Sequence, residues 1–151
     1  MIIVADSREQ KPLDFSGIEG VEKVETIGLA YGDYSAIVNG KPVPIIYERK
    51  SLNDLWGTMV PSKSDPDCHE RFKRELVRAK DSNVKLVLIV EGSYTDVWNG
   101  ITHSRFDGQS MLRKLATFYT KYDLEYVLCE SRRVMARRIV DTFLSVERNF
   151  N

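Results

Sequence analysis

The sequence predicts a mixed-sheet α/β domain, and three observations lead there. Asn39-Gly40, flanked by β-formers, marks a tight hairpin in the first half. The second half alternates strand and helix patterns around the continuous apolar run Lys85 to Val90, the signature of parallel strands buried on both faces. Finally, 151 residues with 42% hydrophobic content suit one compact domain spanning 1–151.

Taken in order, Ile2 to Ala5 is a short apolar run ended by Asp6 and reads as a buried strand. A looped stretch through Pro12 and Gly17 follows, and Val21 to Ile27 alternates apolar and charged residues as a half-exposed strand does. Tyr34 to Val38 pairs across Asn39-Gly40 with a return strand running from Val43 to about Lys50. In this hairpin Val38 faces Lys41. Pro42 and Pro44 then fall at non-hydrogen-bonded positions, where a missing N–H is tolerated. The first half thus reads as antiparallel hairpins.

Ser51 opens a helix, and a polar loop from Pro61 to Asp67 leads to a second helix, Glu70 to Lys80, with Phe72, Leu76 and Ala79 on one face. After the buried strand, a loop with Gly92, Trp98 and Gly100 precedes a helix from about Gly108 to Tyr122, with Met111, Leu112, Leu115, Phe118, Tyr119 and Tyr122 at helical spacing. Tyr126 to Cys129 is a last strand, and Ser131 caps a final helix through Ile139, Val140, Phe143 and Leu144.

Charge narrows the function classes. Acids and bases balance at 22 each, so there is no global field to steer a polyanion, and any basic surface is local. Cys68 and Cys129 fit neither a disulfide framework nor a metal spacing, and read as reduced thiols of an intracellular, cytoplasmic protein. The start lacks a signal-peptide pattern, and no apolar stretch reaches the roughly 20 residues of a membrane span.

The chemistry concentrates where the apolar run Ile45-Ile46-Tyr47 ends in Glu48-Arg49-Lys50. Side chains alternate along a strand, so Glu48 and Lys50 share one face while Arg49 points away. Counting outward from the turn sets Asp33 opposite Ile46, on that same face and diagonal to Glu48. Two carboxylates this close raise each other's pKa unless a cation lies between them, and oxygen-only ligands suit Mg²⁺ or Mn²⁺. A lysine beside such a cation is equipped to orient water for phosphodiester hydrolysis. The same three residues also read as a solvated salt bridge at a strand end.

Asp6-Ser7-Arg8-Glu9, Gly32-Asp33-Tyr34 and Glu48-Arg49-Lys50 with Asp54 four residues later resemble the nuclease domain of the XPF family. These are structure-specific DNA endonucleases with a restriction-endonuclease-like core, a central mixed β-sheet flanked by helices. The resemblance spans residues 1 to about 145. It implies that Asp33 and Glu48 are metal ligands, joined by the Arg49 backbone carbonyl and Asp6. It makes Lys50 the catalytic lysine, with Asp6, Asp54 and Glu9 supporting it, and Mg²⁺ or Mn²⁺ the cofactor. The implied substrate is branched or partly single-stranded DNA, in repair or recombination. Relatives carry helix-hairpin-helix or helicase modules that have no counterpart here, an architecture like that of stand-alone bacterial or phage members.

Other residues keep two readings. Asp54 supports the site or closes a capping box with Ser51. Arg8 belongs to a structural network. Arg49 braces a neighbouring element or touches a phosphate. Arg71, Lys73, Arg74 and Arg78 track phosphates or form a solvated face, as do Arg132, Arg133, Arg137 and Arg138. The Phe143/Leu144 stripe serves a homodimer or a heteromeric partner, or else the core. His69 and His103 are isolated and not ligands, and Tyr31 and Tyr34 pack. The alternative to an enzyme is a non-catalytic DNA-binding or scaffold subunit, which in this family typically lacks the acids and lysine present here.

Overall fold

The structure, a computed structural model, describes residues 1–149. The chain runs β1 (Ile2–Asp6), β2 (Lys23–Ile27), β3 (Tyr34–Val38), β4 (Lys41–Pro42), β5 (Ile45–Ser51), α1 (Leu52–Met59), α2 (Cys68–Asp81), β6 (Lys85–Glu91), α3 (Tyr94–Asn99), α4 (Gly108–Tyr122), β7 (Glu125–Cys129) and α5 (Arg132–Asn149). Among the described residues seven strands form one sheet in the order β2-β1-β3-β5-β6-β7, with β4 paired to β3. Strands β5, β6 and β7 are parallel, and β3 is antiparallel to both β1 and β5. This is the mixed sheet the sequence predicts.

Each face of the sheet is covered by its own core. On one side α5 lays Met135, Ala136, Ile139, Val140 and Phe143 over Ile3, Tyr34, Tyr47, Val87 and Ile89. On the other, α1, α2 and α4 bury Leu55, Trp56, Phe72, Leu76, Met111, Leu115 and Phe118 against Leu86, Leu88 and Val90. Strand β6 supplies alternate residues to both cores, which is why its sequence is apolar without alternation. Phe143 is fully buried and the partly buried Leu144 packs on the same cluster, so the stripe contributes to the core. No helix among the described residues is long and apolar enough to cross a membrane.

Four details differ from the sequence reading. First, β1 and β2 pair in parallel, not as an antiparallel hairpin. The connection between them carries Leu13, Phe15 and Ile18 into the α5-side core, and a crossover of this length is what parallel neighbours require. β2 is a largely exposed edge, with the Lys23–Glu25 ion pair on it. Second, the stretch after Gly92 contains α3, started by a reciprocal cap between Ser93 and Asp96. Third, Tyr119 is 58% exposed and stands outside the apolar face of α4.

The fourth difference concerns register. The turn forms as expected, with Asn39 and Gly40 at φ 52° and 74°, and Val38 faces Lys41. The return strand then breaks at Val43-Pro44. Beyond the break Tyr34 faces Tyr47, where uninterrupted pairing sets it opposite Ile45. Pro44 cannot donate to the ladder, and the Val43 side chain turns into the core, so two extra residues are accommodated here. The Ser35 hydroxyl, itself buried, donates to the Ile45 carbonyl at 2.9 Å or the Val43 carbonyl at 3.4 Å, giving the interruption a polar partner. A slip of two residues keeps every side chain on its face, so Glu48 and Lys50 still project together.

Replacing Ser35 with alanine leaves those carbonyls without their donor. The expected cost is about 1 kcal/mol, read as a lower urea midpoint at unchanged slope. An unaltered midpoint means the hydroxyl does not hold the slip.

Candidate active site

Strands β1, β5 and β6 end, and β3 begins, at one edge of the sheet, and that edge carries the chemistry-bearing residues. Asp33 leads into β3 through Gly32, whose φ of 74° suits glycine. Here a Cβ would also lie 2.0 Å from the Ile46 side chain, so this position has room for nothing larger. Asp33 is then tied on both sides. Its carbonyl accepts the Asp6 N–H at 2.8 Å, and its own N–H donates to the Tyr47 carbonyl at 2.7 Å. Its carboxylate Oδ2 accepts the Arg49 N–H at 2.7 Å. Because of the register slip, Asp33 meets Tyr47 to Arg49 rather than Ile46.

Arg49 points to the α5 side and holds Glu9 with both oxygens, at 3.1 and 3.0 Å. This bidentate pair is nearly shielded from solvent, with side-chain exposures of 13% and 8%. Of its two readings, Arg49 therefore takes the brace. Tyr34, buried in the core, contributes its hydroxyl to Glu9 at 3.4 Å and receives the Leu13 N–H at 2.7 Å. Asp6 does not join Asp33 and Glu48 through its side chain. Its oxygens are occupied by Arg8 at 3.0 and 3.4 Å and by the Leu29 N–H at 2.8 Å. Asp6 and Arg8 thus fasten the loop that presents Glu9.

Glu48 and Lys50 point to the opposite side, beneath α2. There the structure adds a residue that sequence reasoning missed, Glu75, which is within hydrogen-bonding reach of Glu48 and whose charge raises the Glu48 carboxyl further. Among the described residues the Glu48 Oε2 atom is buried without a hydrogen-bond partner. Burial pushes the Glu48 carboxyl up to about 8; Lys50 pulls it down, while Glu75 and Asp33 add to the rise. Burial likewise raises Asp33 to about 6, against the pull of the Arg49 N–H. Glu75 lies three residues after Phe72 and one before Leu76, at the border of the apolar face of α2. An acid at that border was the available signal.

Residues 5–141 match the ERCC4 domain family. The chain belongs to that family. Its fold is that of XPF from Aeropyrum pernix in complex with DNA, with a TM-score of 0.69 at 20% identity over 99% of this chain and 67% of that one. A second structure of XPF from Aeropyrum pernix agrees, with a TM-score of 0.67 at 21% identity over 98% of this chain and 60% of that one. At such identities the likeness establishes the restriction-endonuclease-like fold. No curated protein matches in sequence.

The remaining predicted residues of this ERCC4 domain divide across β5. On the Arg49 side, Arg8, Glu9 and Asp54 line an open cleft of about 580 Å³, joined there by Glu91, which the sequence had not singled out. Asp54 also gives its N–H to the Ser51 hydroxyl at 3.1 Å, so it starts α1 and faces the cleft at once. On the other side, Lys50, Arg71 and Glu75 line a recess of about 150 Å³. Arg71 is paired with Asp65 at 2.6 Å, and Lys73 with Glu70 at 3.1 Å while lying over the Tyr122 ring. Arg74 and Arg78 are on the same helix, and both are exposed. Arg132 and Arg133 hold backbone carbonyls of Lys11, Pro12, Asp14 and Ser16, a structural use.

The donor set suits a hard divalent cation. It is oxygen-only, it contains the orphaned Glu48 Oε2, and its charge needs neutralising. Among the described residues no three His, Cys, Asp or Glu side chains form a closed cage.

The raised carboxyls fix a pH dependence. The folded protein keeps a proton on Glu48 that the unfolded chain releases near 4.5, so stability falls as pH rises from 4.5 to about 8. In chelator, Glu48→Gln is expected to melt higher than wild type at pH 8 and alike at pH 4.5. An equal difference at both pH values excludes the buried charge as the cause.

Proposed function

We propose that this protein is an Mg²⁺- or Mn²⁺-dependent endonuclease that hydrolyses DNA phosphodiester bonds at branched, flap or single-strand/duplex junction structures. The observation that carries the reading is the Glu48 carboxyl, one oxygen of which is buried without a partner, held at one sheet edge with Asp33, Lys50 and a second acid, Glu75. A fold that needed only stability has no use for that arrangement, because an orphaned buried oxygen on an acid crowded by other acids is costly. Family membership and the likeness to a DNA-bound XPF support the same class of substrate.

Asp33, Glu48 and the Arg49 carbonyl hold the cation, which when bound neutralises charge on the phosphate and makes water more acidic. Lys50, on the face it shares with Glu48, orients the attacking water and donates hydrogen bonds to the phosphate oxygens as charge grows on them. The water oxygen bonds to phosphorus, the ester P–O bond opposite it breaks, and the leaving oxygen takes up a proton. Arg49 keeps Glu9 at the cleft wall, Asp6 with Arg8 fastens the loop behind it, and Asp54 faces the same cleft.

The test is incubation with Mg²⁺ or Mn²⁺ and labelled single-stranded, duplex, splayed and flap DNAs. Junction-containing substrates should be cut, and Asp33→Asn or Lys50→Ala should slow cutting on the order of 100-fold or more. If both variants cut as well as wild type, or nothing is cut, the non-catalytic scaffold reading replaces this one.

Phosphate tracking by α2 rests on Arg74 and Arg78, since Arg71 and Lys73 already have acidic partners. Changing Arg74 and Arg78 to glutamine should lower the salt slope of duplex binding by about 0.9 for each phosphate the helix then leaves unneutralised. An unchanged slope makes the helix a solvated face.

A further inference from the structure

Strand β6 leaves the sheet beside the candidate active site. Ser51 and Glu91 are ladder partners, and Glu91 lines the same cleft as Arg49 and Asp54. Three residues later, within about 10 Å of chain, α3 begins. Its Tyr94 and Trp98 are 61% and 49% exposed, and a spacing of four sets both rings on one face of the helix.

This short helix is fixed in place. The Gly92 N–H donates to the Cys129 carbonyl at 2.6 Å, and Val97 is fully buried. A Cβ on Gly108 would lie 2.1 Å from the Trp98 carbonyl, so α4 begins directly against the end of α3. The acid of α3, Asp96, is engaged by the Ser93 N–H at 2.8 Å. Exposed Arg105 lies three residues before Gly108, a cation suited to a phosphate at this edge. The residues next to the rings in sequence, Ser93, Thr95 and Asn99, are polar. Two flat exposed rings on one helix face with a cation nearby are the combination that binds single-stranded nucleic acid by base stacking and phosphate contact.

We propose that Tyr94 and Trp98 are a stacking platform for unpaired bases, over which the single-stranded arm of a junction substrate runs as it leaves the end of the sheet that carries the candidate active site. This rests on the reading of the site as a DNA nuclease and names the part of the substrate that selects it.

The molecule carries its own reporter. Of its two tryptophans, Trp56 is 3% exposed and bonded through Nε1–H to the Phe106 carbonyl, so a change in emission on binding comes from Trp98. The full chain, in chelator, is titrated with an oligothymidylate of about 16 nucleotides and with a duplex of the same length. Quenching is expected with the single strand. Tyr94→Ala and Trp98→Ala are each expected to weaken single-strand binding about tenfold, to leave duplex binding as in wild type, and to keep the melting temperature. Trp98→Phe, which keeps a ring, retains most of the affinity.

The platform is overturned if the alanine variants bind the single strand as wild type does, or lose duplex affinity equally. It is also overturned if they change the oligomeric state instead, which assigns the rings to a second copy of the chain. Cleavage of junction DNA unaffected by Tyr94→Ala and Trp98→Ala leaves the nuclease standing without the platform. Ring-dependent single-strand binding without any cleavage leaves the platform and removes the nuclease.

Discussion

One residue holds the reactive edge of the sheet together. Asp33 receives β1 through its carbonyl, reaches β5 through its N–H, and takes the Arg49 N–H on its carboxylate, where a strand ordinarily offers a main-chain oxygen. The side chain thereby replaces a backbone acceptor while keeping a charge at the site. Gly32 makes this close approach possible by admitting the Ile46 side chain and a positive φ. Without that junction, the end of β5 would be held on the β6 side alone, with nothing tying it to β1 and β3.

The packing on either side explains why the arrangement tolerates its electrostatics. Glu48 lies among the apolar strands and helices of one core, where its charge is disfavoured, and Glu75 makes that worse. The compensation comes from strand pairing over the full length of β5 against β6, and from two cores that sandwich this ladder. On the opposite face the same strand has its charge satisfied: Arg49 and Glu9 neutralise each other almost out of reach of water. One strand thus carries a stable ion pair on one side and a frustrated acid on the other, and local conflict of this kind is characteristic of functional positions.

How much of this was legible in the sequence follows the range of the interactions involved. The Asn39-Gly40 turn depends on the conformational freedom of two adjacent residues, so it and its first pairs were readable. The shared face of Glu48 and Lys50 depends only on strand periodicity and survived the register slip. The slip itself was hidden, because it requires Val43 to find room in the core and Ser35 to serve the broken ladder from another strand. The parallel pairing of β1 with β2 was hidden too, since it depends on where Leu13, Phe15 and Ile18 bury. Glu75 was out of reach for a related reason: an acid at a helix border becomes part of a site only once the helix is seated over the strand.

The join between β5 and α1 bears on how the family signature is to be understood. Ser51 is both the last residue of β5 and the cap of α1, accepting the Asp54 N–H. No slack exists between Lys50 and the helix, so the distance in sequence from Lys50 to Asp54 equals one capped first turn. A single inserted residue would rotate Leu55 and Trp56 by about 100° around the helix axis and swing them out of the core. The ERKxxxD spacing is thus guarded by the buried side chains behind it, and a length change there is rejected as a folding defect before it is felt as a chemical one.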